Sequence, residues 1–240
     1  MATTDVALRE QSGRMGQERV VNNMSIQVAT VNGSGSQSSN TILLRSIFQM
    51  GVPVSGKNLF PSNIAGLPTW YTIRANKDGY IARKKEIDFL VAMNAETAKE
   101  DVMSLAPGAA VLYDEPLNLS QLRNDLIFYS VPYDKLTAAV CPEAKLRKLV
   151  KNMIYVGVVA KLLDIDLAEV EKAIHKQFIS KVKAANLNLA AAKAGFDYAT
   201  SSLTKQDPYV IQRMDKTHGQ IIIDGNSAAA WAACLPESQS

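Results

Sequence analysis

A three-layer α/β domain with a mainly parallel, mixed sheet and a C-terminal helical segment is the fold class that these 240 residues predict. Three observations carry that expectation. Short apolar runs alternate with helical stretches as far as Val131, the pattern of a sheet covered on both faces. A glycine- and serine-rich loop directly follows the first apolar run and opens a helix. Past Tyr133 the strand pattern stops and the apolar spacing becomes helical.

Residues 1–23 are polar, mixed in charge and without periodicity, which predicts a flexible N-terminal arm. Ile26, Val28 and Val31 then mark a strand, and Gly33 to Asn40 a loop. Ile42, Leu43, Ile47 and Met50 form one face of a helix that Gly51 closes as its C-cap. Val52–Val54 begins a second strand. Residues 56–71, GKNLFPSNIAGLPTWY, are punctuated by Pro61, Gly66 and Pro68 and read as an ordered excursion. Thr69–Arg74 and Tyr80–Arg83 flank an Asp78-Gly79 turn, which predicts a hairpin.

Asp88–Met93, Ala109–Tyr113 and Leu126–Val131 read as buried strands, and Ala95–Leu105 as a helix between the first two. Leu146, Leu149, Val150 and Met153 keep a helical rhythm, and Ile154 to Leu163 is apolar almost all round, so this helix runs from a surface into the core. Asp166 to Glu169 resembles a capping box for a helix with Leu167, Val170, Ile174 and Phe178 on one face. Asn186–Ala199 is alanine-rich and helical, and Asp207-Pro208 marks a break. Residues 219–230 then read as strand, turn and the start of a packed helix.

Charge is distributed unevenly. From Arg19 to Lys77 there are five basic residues and no Asp or Glu. A buried, strand-rich half and an anion-facing surface both account for this. Cys141 and Cys234 have no metal-ligand spacing and no nearby histidine, and His175 and His218 lack companions, so we expect no resident metal and a cytoplasmic location. The longest apolar run, Met153–Ala160, is far shorter than the ~20 residues that span a bilayer, so no membrane is expected. Arg83-Lys84-Lys85 is too short a basic run for nucleic acid.

The loop is the candidate site. Gly33, Gly35, Ser36, Gln37 and Ser38 precede or open a helix, where free backbone N–H groups and the helix dipole suit an anion. Ser38 stands where a dinucleotide fingerprint has its third glycine. A site for NAD also wants a carboxylate about 20 residues further on. None occurs before Asp78, so NAD is disfavoured. A tight turn that binds nothing is the alternative reading of the same residues.

Four segments together resemble one family: Gly33–Asn40, Asn58–Tyr71 (NLFPSNIAGLPTWY), Ala92-Met93-Asn94 and Lys151-Asn152-Met153. They are similar to the gamma domain of 2-oxoacid:ferredoxin oxidoreductases, and most to the fused gamma–alpha chain of the 2-oxoglutarate type. The resemblance covers about residues 25–205, and residues 221–230 (IIIDGNSAAA) resemble the start of the alpha domain that follows in such chains. It implies a gamma domain at 24–205, with a linker and a stub of a thiamine-binding alpha domain at 206–240. It further implies a subunit or fragment that packs on alpha and beta parts, serves ferredoxin indirectly and is inactive alone.

Coenzyme A is the implied ligand of Gly33, Gly35, Ser36, Gln37 and Ser38, while thiamine diphosphate and an iron–sulfur cluster are bound elsewhere in the complex. Asn63, Thr69 and Trp70 lie in the most family-specific segment and are expected at the active-site side or an interface; a packed loop anchored by Trp70 is the alternative. No catalytic acid, base or nucleophile is assigned. The rival function is a non-catalytic interaction domain whose Gly/Ser loop is only structural.

Overall fold

The computed structural model describes residues 18–60 and 68–234. Its centre is a six-stranded sheet in the order β3-β4-β2-β5-β6-β7, made of β2 (Asn23–Val31), β3 (Val54–Leu59), β4 (Pro68–Asn76), β5 (Phe89–Ala92), β6 (Ala110–Asp114) and β7 (Ile127–Val131). β2, β5, β6 and β7 run parallel, whereas β4 is antiparallel to both β2 and β3. A separate two-residue parallel pair joins β1 (Val20–Val21) to β8 (Tyr209–Val210).

The central strands are buried on both faces, so they read as continuous apolar runs rather than alternating ones. Phe89 and Val91 of β5 point to one core, Leu90 and Ala92 to the other. The larger core lies under α1 (Ser36–Gln49), α3 (Tyr133–Val140), α4 (Ala144–Leu162), α5 (Leu167–Gln177) and α6 (Val182–Ser202). The smaller one is covered by α2 (Ala98–Met103) and two 3-10 turns, Glu115–Leu117 and Leu119–Gln121. The fold is the expected three-layer α/β/α domain, with one thick and one thin helical layer.

α4 and α6 approach to backbone contact, because each has a glycine at the crossing. A methyl group on Gly157 would lie 1.8 Å from the Ala192 carbonyl oxygen, and one on Gly195 would lie 2.1 Å from that of Ile154. Ala192 sits at this crossing, and Ala191 and Ala199 are buried on the same helix, so small side chains suit the packed face of α6. Asp166 caps α5 by accepting from the Ala168 amide at 2.9 Å. The capping box stays half-formed: Glu169 binds Lys172 and Arg213 instead of reaching back.

Three expected elements are different. The residue 56–71 excursion starts and ends in sheet, since β3 extends to Leu59 and β4 begins at Pro68. The Asp78-Gly79 turn forms, with the Asn76 side chain accepting from the Asp78 and Tyr80 amides. Tyr80–Arg83 nevertheless makes no strand, because both edges of β4 are already taken by β2 and β3. Residues 221–223 make no strand either and pair with no strand of the sheet. α7 (Gly225–Cys234) does form, with Asp224 accepting from the Ser227 amide, but it buries none of its residues.

The chain ends of the domain also differ from expectation. Residues 1–17 of the arm lie outside the described residues, but residues 18–23 are held: Asn22 exchanges side-chain hydrogen bonds with the Gln212 backbone at 2.7 and 2.8 Å. Residues 206–217, the first part of the expected 206–240 linker and stub, pack on the domain. The buried Asp207 accepts from the Tyr129 hydroxyl at 2.6 Å, and that hydroxyl accepts from the Gln206 and Asp207 amides. Met214 and Lys216 donate their amides to the carbonyls of Met50 and Gly51. Gly51 has φ +81°, and a side chain there would collide with the Met214 carbonyl, so it serves both the helix end and this strap.

Two stability outcomes follow from these contacts. Gly157→Ala should lower unfolding free energy by about 2–3 kcal/mol in urea denaturation, through forced separation of α4 and α6. Tyr129→Phe should lose about 2–3 kcal/mol, because it strips Asp207 of a donor and two amides of their acceptor. Unchanged midpoints would contradict the close crossing and the strap, respectively.

Candidate functional site

β2 and β5 are parallel neighbours, yet the chain leaves them toward opposite faces: β2 leads to α1 over the large core, β5 to α2 over the small one. Such divergence opens a crevice beyond the carboxyl ends of the two strands, the usual ligand position in open α/β sheets. One cross-strand row there is Trp70–Ala29–Ala92–Tyr113–Ser130. The next residue of each strand forms the rim, with Thr69 opposite Thr30 and Asp114 opposite Val131.

The Gly33–Ser38 loop sits at this rim. Ser34 donates its amide to the Val31 carbonyl at 3.2 Å, and Gly33 and Gly35 both have left-handed backbones, at φ +79° and +82°. Gly35 is the N-cap of α1 and caps with no side chain, and the first turn holds no acidic residue. The first-turn N–H groups and the positive end of the helix dipole are therefore left uncompensated.

The five predicted loop residues play unequal parts. Gly33, Gly35 and Gln37 are exposed and Ser38 is half-buried. Ser36 is buried, and its hydroxyl pairs with that of Thr30 at 2.8 Å, so it shapes the turn from inside. Thr69 lies beside Thr30 and donates to the Leu59 carbonyl at 3.3 Å. Trp70 belongs to the other face: its indole N–H donates to Asp101 at 2.9 Å and its ring packs on the small core. Burial raises the Asp101 carboxyl above its ordinary range, and the Trp70 indole bond partly offsets this. The structure thus separates Trp70 from the loop while placing Thr69 next to it; Asn63 lies outside the described residues.

Helix α4 supplies what the sequence reading did not assign to the site. Leu149 lies over Gly35, where a methyl group would come within 2.8 Å of its Cδ2. Asn152 donates to the Ser34 carbonyl at 2.8 Å, and the Tyr155 hydroxyl donates to the Asn40 side chain at 2.7 Å. Burial pushes the Tyr155 phenol well up, so it remains a donor. The spacing of 149, 152 and 155 puts the three on one face of the helix. The available signal was the polar Asn152 in an apolar stretch; its partner is 118 residues away and not readable locally.

Lys151, next in line, bridges Asp114 at 2.7 Å and Asp134 at 2.8 Å. Burial opposes its charge, but the two carboxylates outweigh this and hold its ammonium above the ordinary range.

A groove of about 800 Å³ runs from Gln37 along α1, between that helix, β3 and residues 220–227. Its polar lining includes Arg45, Asn58, Tyr71 and Asp224. Arg45 donates to Gln177 at 2.6 Å. Tyr71 is pushed up to about 12 by burial, against the pull of Arg45. Arg74, by contrast, is buried in the sheet and donates to Asn23, so it is no phosphate contact. β3 ends at the same rim with Asn58 and Leu59, and the strand itself carries no carboxylate. Among the described residues no cluster of His, Cys, Asp or Glu fits a metal, and no helix is long and apolar enough to cross a membrane.

Comparison with known proteins agrees with this architecture. The 2-oxoacid:ferredoxin oxidoreductase 2 subunit alpha of Aeropyrum pernix is 20% identical over 246 aligned positions, which cover 86% of this chain and 38% of that protein. The 2-oxoglutarate:ferredoxin oxidoreductase of Magnetococcus marinus, solved with 2-oxoglutarate, coenzyme A and succinyl-CoA bound, superposes with a TM-score of 0.74 at 23% identity over 84% of this chain and 34% of that one. This chain therefore spans only about a third of the length of either relative. The gamma subunit of a keto/oxoacid ferredoxin oxidoreductase from Geobacter sulfurreducens matches with a TM-score of 0.61 at 17% identity, over 75% of this chain and 99% of that one. The model of the family described as pyruvate ferredoxin/flavodoxin oxidoreductase matches residues 25–198, from the start of β2 through most of α6, and the chain belongs to that family.

Proposed function

We propose that this chain is the gamma part of a 2-oxoacid:ferredoxin oxidoreductase, of the 2-oxoglutarate type. It contributes to the coenzyme A site and packs against alpha and beta parts that carry the thiamine diphosphate and the iron–sulfur cluster. The observation that carries this is the uncapped, acid-free start of α1, which opens at the β2/β5 crevice into a groove of about 800 Å³. Coenzyme A would bring phosphates suited to those N–H groups and a thiol to accept the acyl group. Gly33, Gly35 and Ser38 would approach the anion through the backbone, Gln37 would bridge loop and groove, and Arg45 adds positive charge along α1.

The gamma assignment is supported by the match to nearly the whole Geobacter gamma subunit, and the 2-oxoglutarate type by the Magnetococcus structure. The two cysteines of this chain are far apart, so the cluster belongs to a partner, and the chain alone should not turn over 2-oxoacids. Residues 219–234, ending in the unburied α7, fit the beginning of a following alpha domain.

One set of contacts favours a second reading, a binding-free interaction domain. The Thr30–Ser36 and Asn152–Ser34 bonds complete the turn without any ligand. Gln37→Glu in the enzyme assembled with its alpha and beta parts separates the two. The added carboxylate suits the helix dipole, so thermal stability should hold or rise slightly. It also repels phosphate, so KM for coenzyme A should rise about tenfold, equal to ~1.4 kcal/mol, with KM for the 2-oxoacid unchanged. An unaltered KM for coenzyme A would favour the structural reading.

A further inference from the structure

We infer that Asn152 is a positioning residue that aims the Gly35 N–H at the anion bound by the loop, an inference that rests on the coenzyme A reading above. The peptide between Ser34 and Gly35 is trans, as are all the described peptide bonds. In a trans peptide the carbonyl and the following N–H point in opposite directions. The Asn152 amide, only 4% exposed, draws the Ser34 carbonyl toward α4 with a 2.8 Å bond. The Gly35 N–H is thereby turned away from α4, and it has no acceptor among the described residues. It joins the free first-turn N–H groups of α1 on the open side of the loop.

Glycine makes this control necessary. A residue without Cβ tolerates either orientation of the preceding peptide, so the 34–35 peptide can flip at little cost unless something holds it. Asn152 is the side chain that does. Its own position is fixed from several sides: Lys151 is clamped between Asp114 at the sheet rim and Asp134 in α3, and Tyr155 is bonded to Asn40 in α1. Leu149 lies over Gly35 and limits the loop from outside. The rim of the sheet thus sets the direction of a backbone donor through one turn of α4.

The test uses the enzyme assembled with its alpha and beta parts. Asn152→Ala removes the hold, and Asn152→Asp keeps the shape but sets an acceptor against the Ser34 carbonyl, favouring the flipped peptide. KM for coenzyme A should rise about tenfold for the alanine variant and further for the aspartate, with kcat at saturating coenzyme A and KM for the 2-oxoacid unchanged. A structural role alone would lower the melting temperature and leave that KM in place. If Asn152→Ala does not assemble, Asn152→Asp decides. An unchanged KM in a folded Asn152 variant, while Gln37→Glu raises it, overturns the positioning role and spares the coenzyme A site. If Gln37→Glu is silent as well, the site itself is refuted, and the inference with it.

Discussion

The hydrogen bond from Asn152 to the Ser34 carbonyl joins two parts of the chain 118 residues apart. On one side is the β2–loop–α1 unit at the middle of the sheet; on the other is α4, locked against α6 by the glycine contacts at 157 and 195. Because both ends of the bond are buried, losing it would leave polar groups without partners, which costs more than the bond itself contributes. Its directional effect matters most for the proposed role. A glycine-rich turn has several backbone conformations of similar energy, and a ligand site needs one of them. α4 selects it, and the Lys151 bridge to Asp114 and Asp134 ties that selection to the sheet rim.

The acid-free stretch from Arg19 to Lys77 has a mostly structural cause. β2 and β4 lie in the middle of the sheet, where a carboxylate would need a buried partner. Even the arginine of that stretch at 74 is buried; burial lowers its pKa, and nearby Asp88 partly restores it. Arg45 differs, since it lines the groove beside α1. On the proposed reading, the anion-facing surface narrows to the loop, the first turn of α1 and the groove beneath Gln37.

Much of the fold was legible in the residues themselves. Apolar runs located β2, β5, β6 and β7, and Gly51 and Asp166 marked helix ends for the physical reasons the structure shows. β3 was read only at its start, because Val-Ser-Gly-Lys-Asn-Leu is an edge strand with little burial and no alternation. The Tyr80–Arg83 and Ile221–Ile223 segments look like strands locally but form no backbone ladder with the sheet; Tyr80–Arg83 meets the edge strand β3 through the Ser55 hydroxyl, which donates to the Ile81 carbonyl, and Ile221–Ile223 lies across the groove from β3. The β1–β8 pair and the strap of residues 206–217 depend on contacts across almost the whole chain. At the candidate site, the loop and its helix were visible from their spacing. Trp70 moved to the opposite face because strand alternation separates it from Thr69, and Asn152 gave away its polarity but not its partner.

Backbone hydrogen exchange in the assembled enzyme, with and without coenzyme A, tests the proposed site most directly. The reading predicts slower exchange for the amides of residues 33–38 when coenzyme A is added, with no change at Val20–Val21 or Tyr209–Val210 on the far pair of strands. Protection confined to other segments, in an enzyme that still uses coenzyme A, would contradict it.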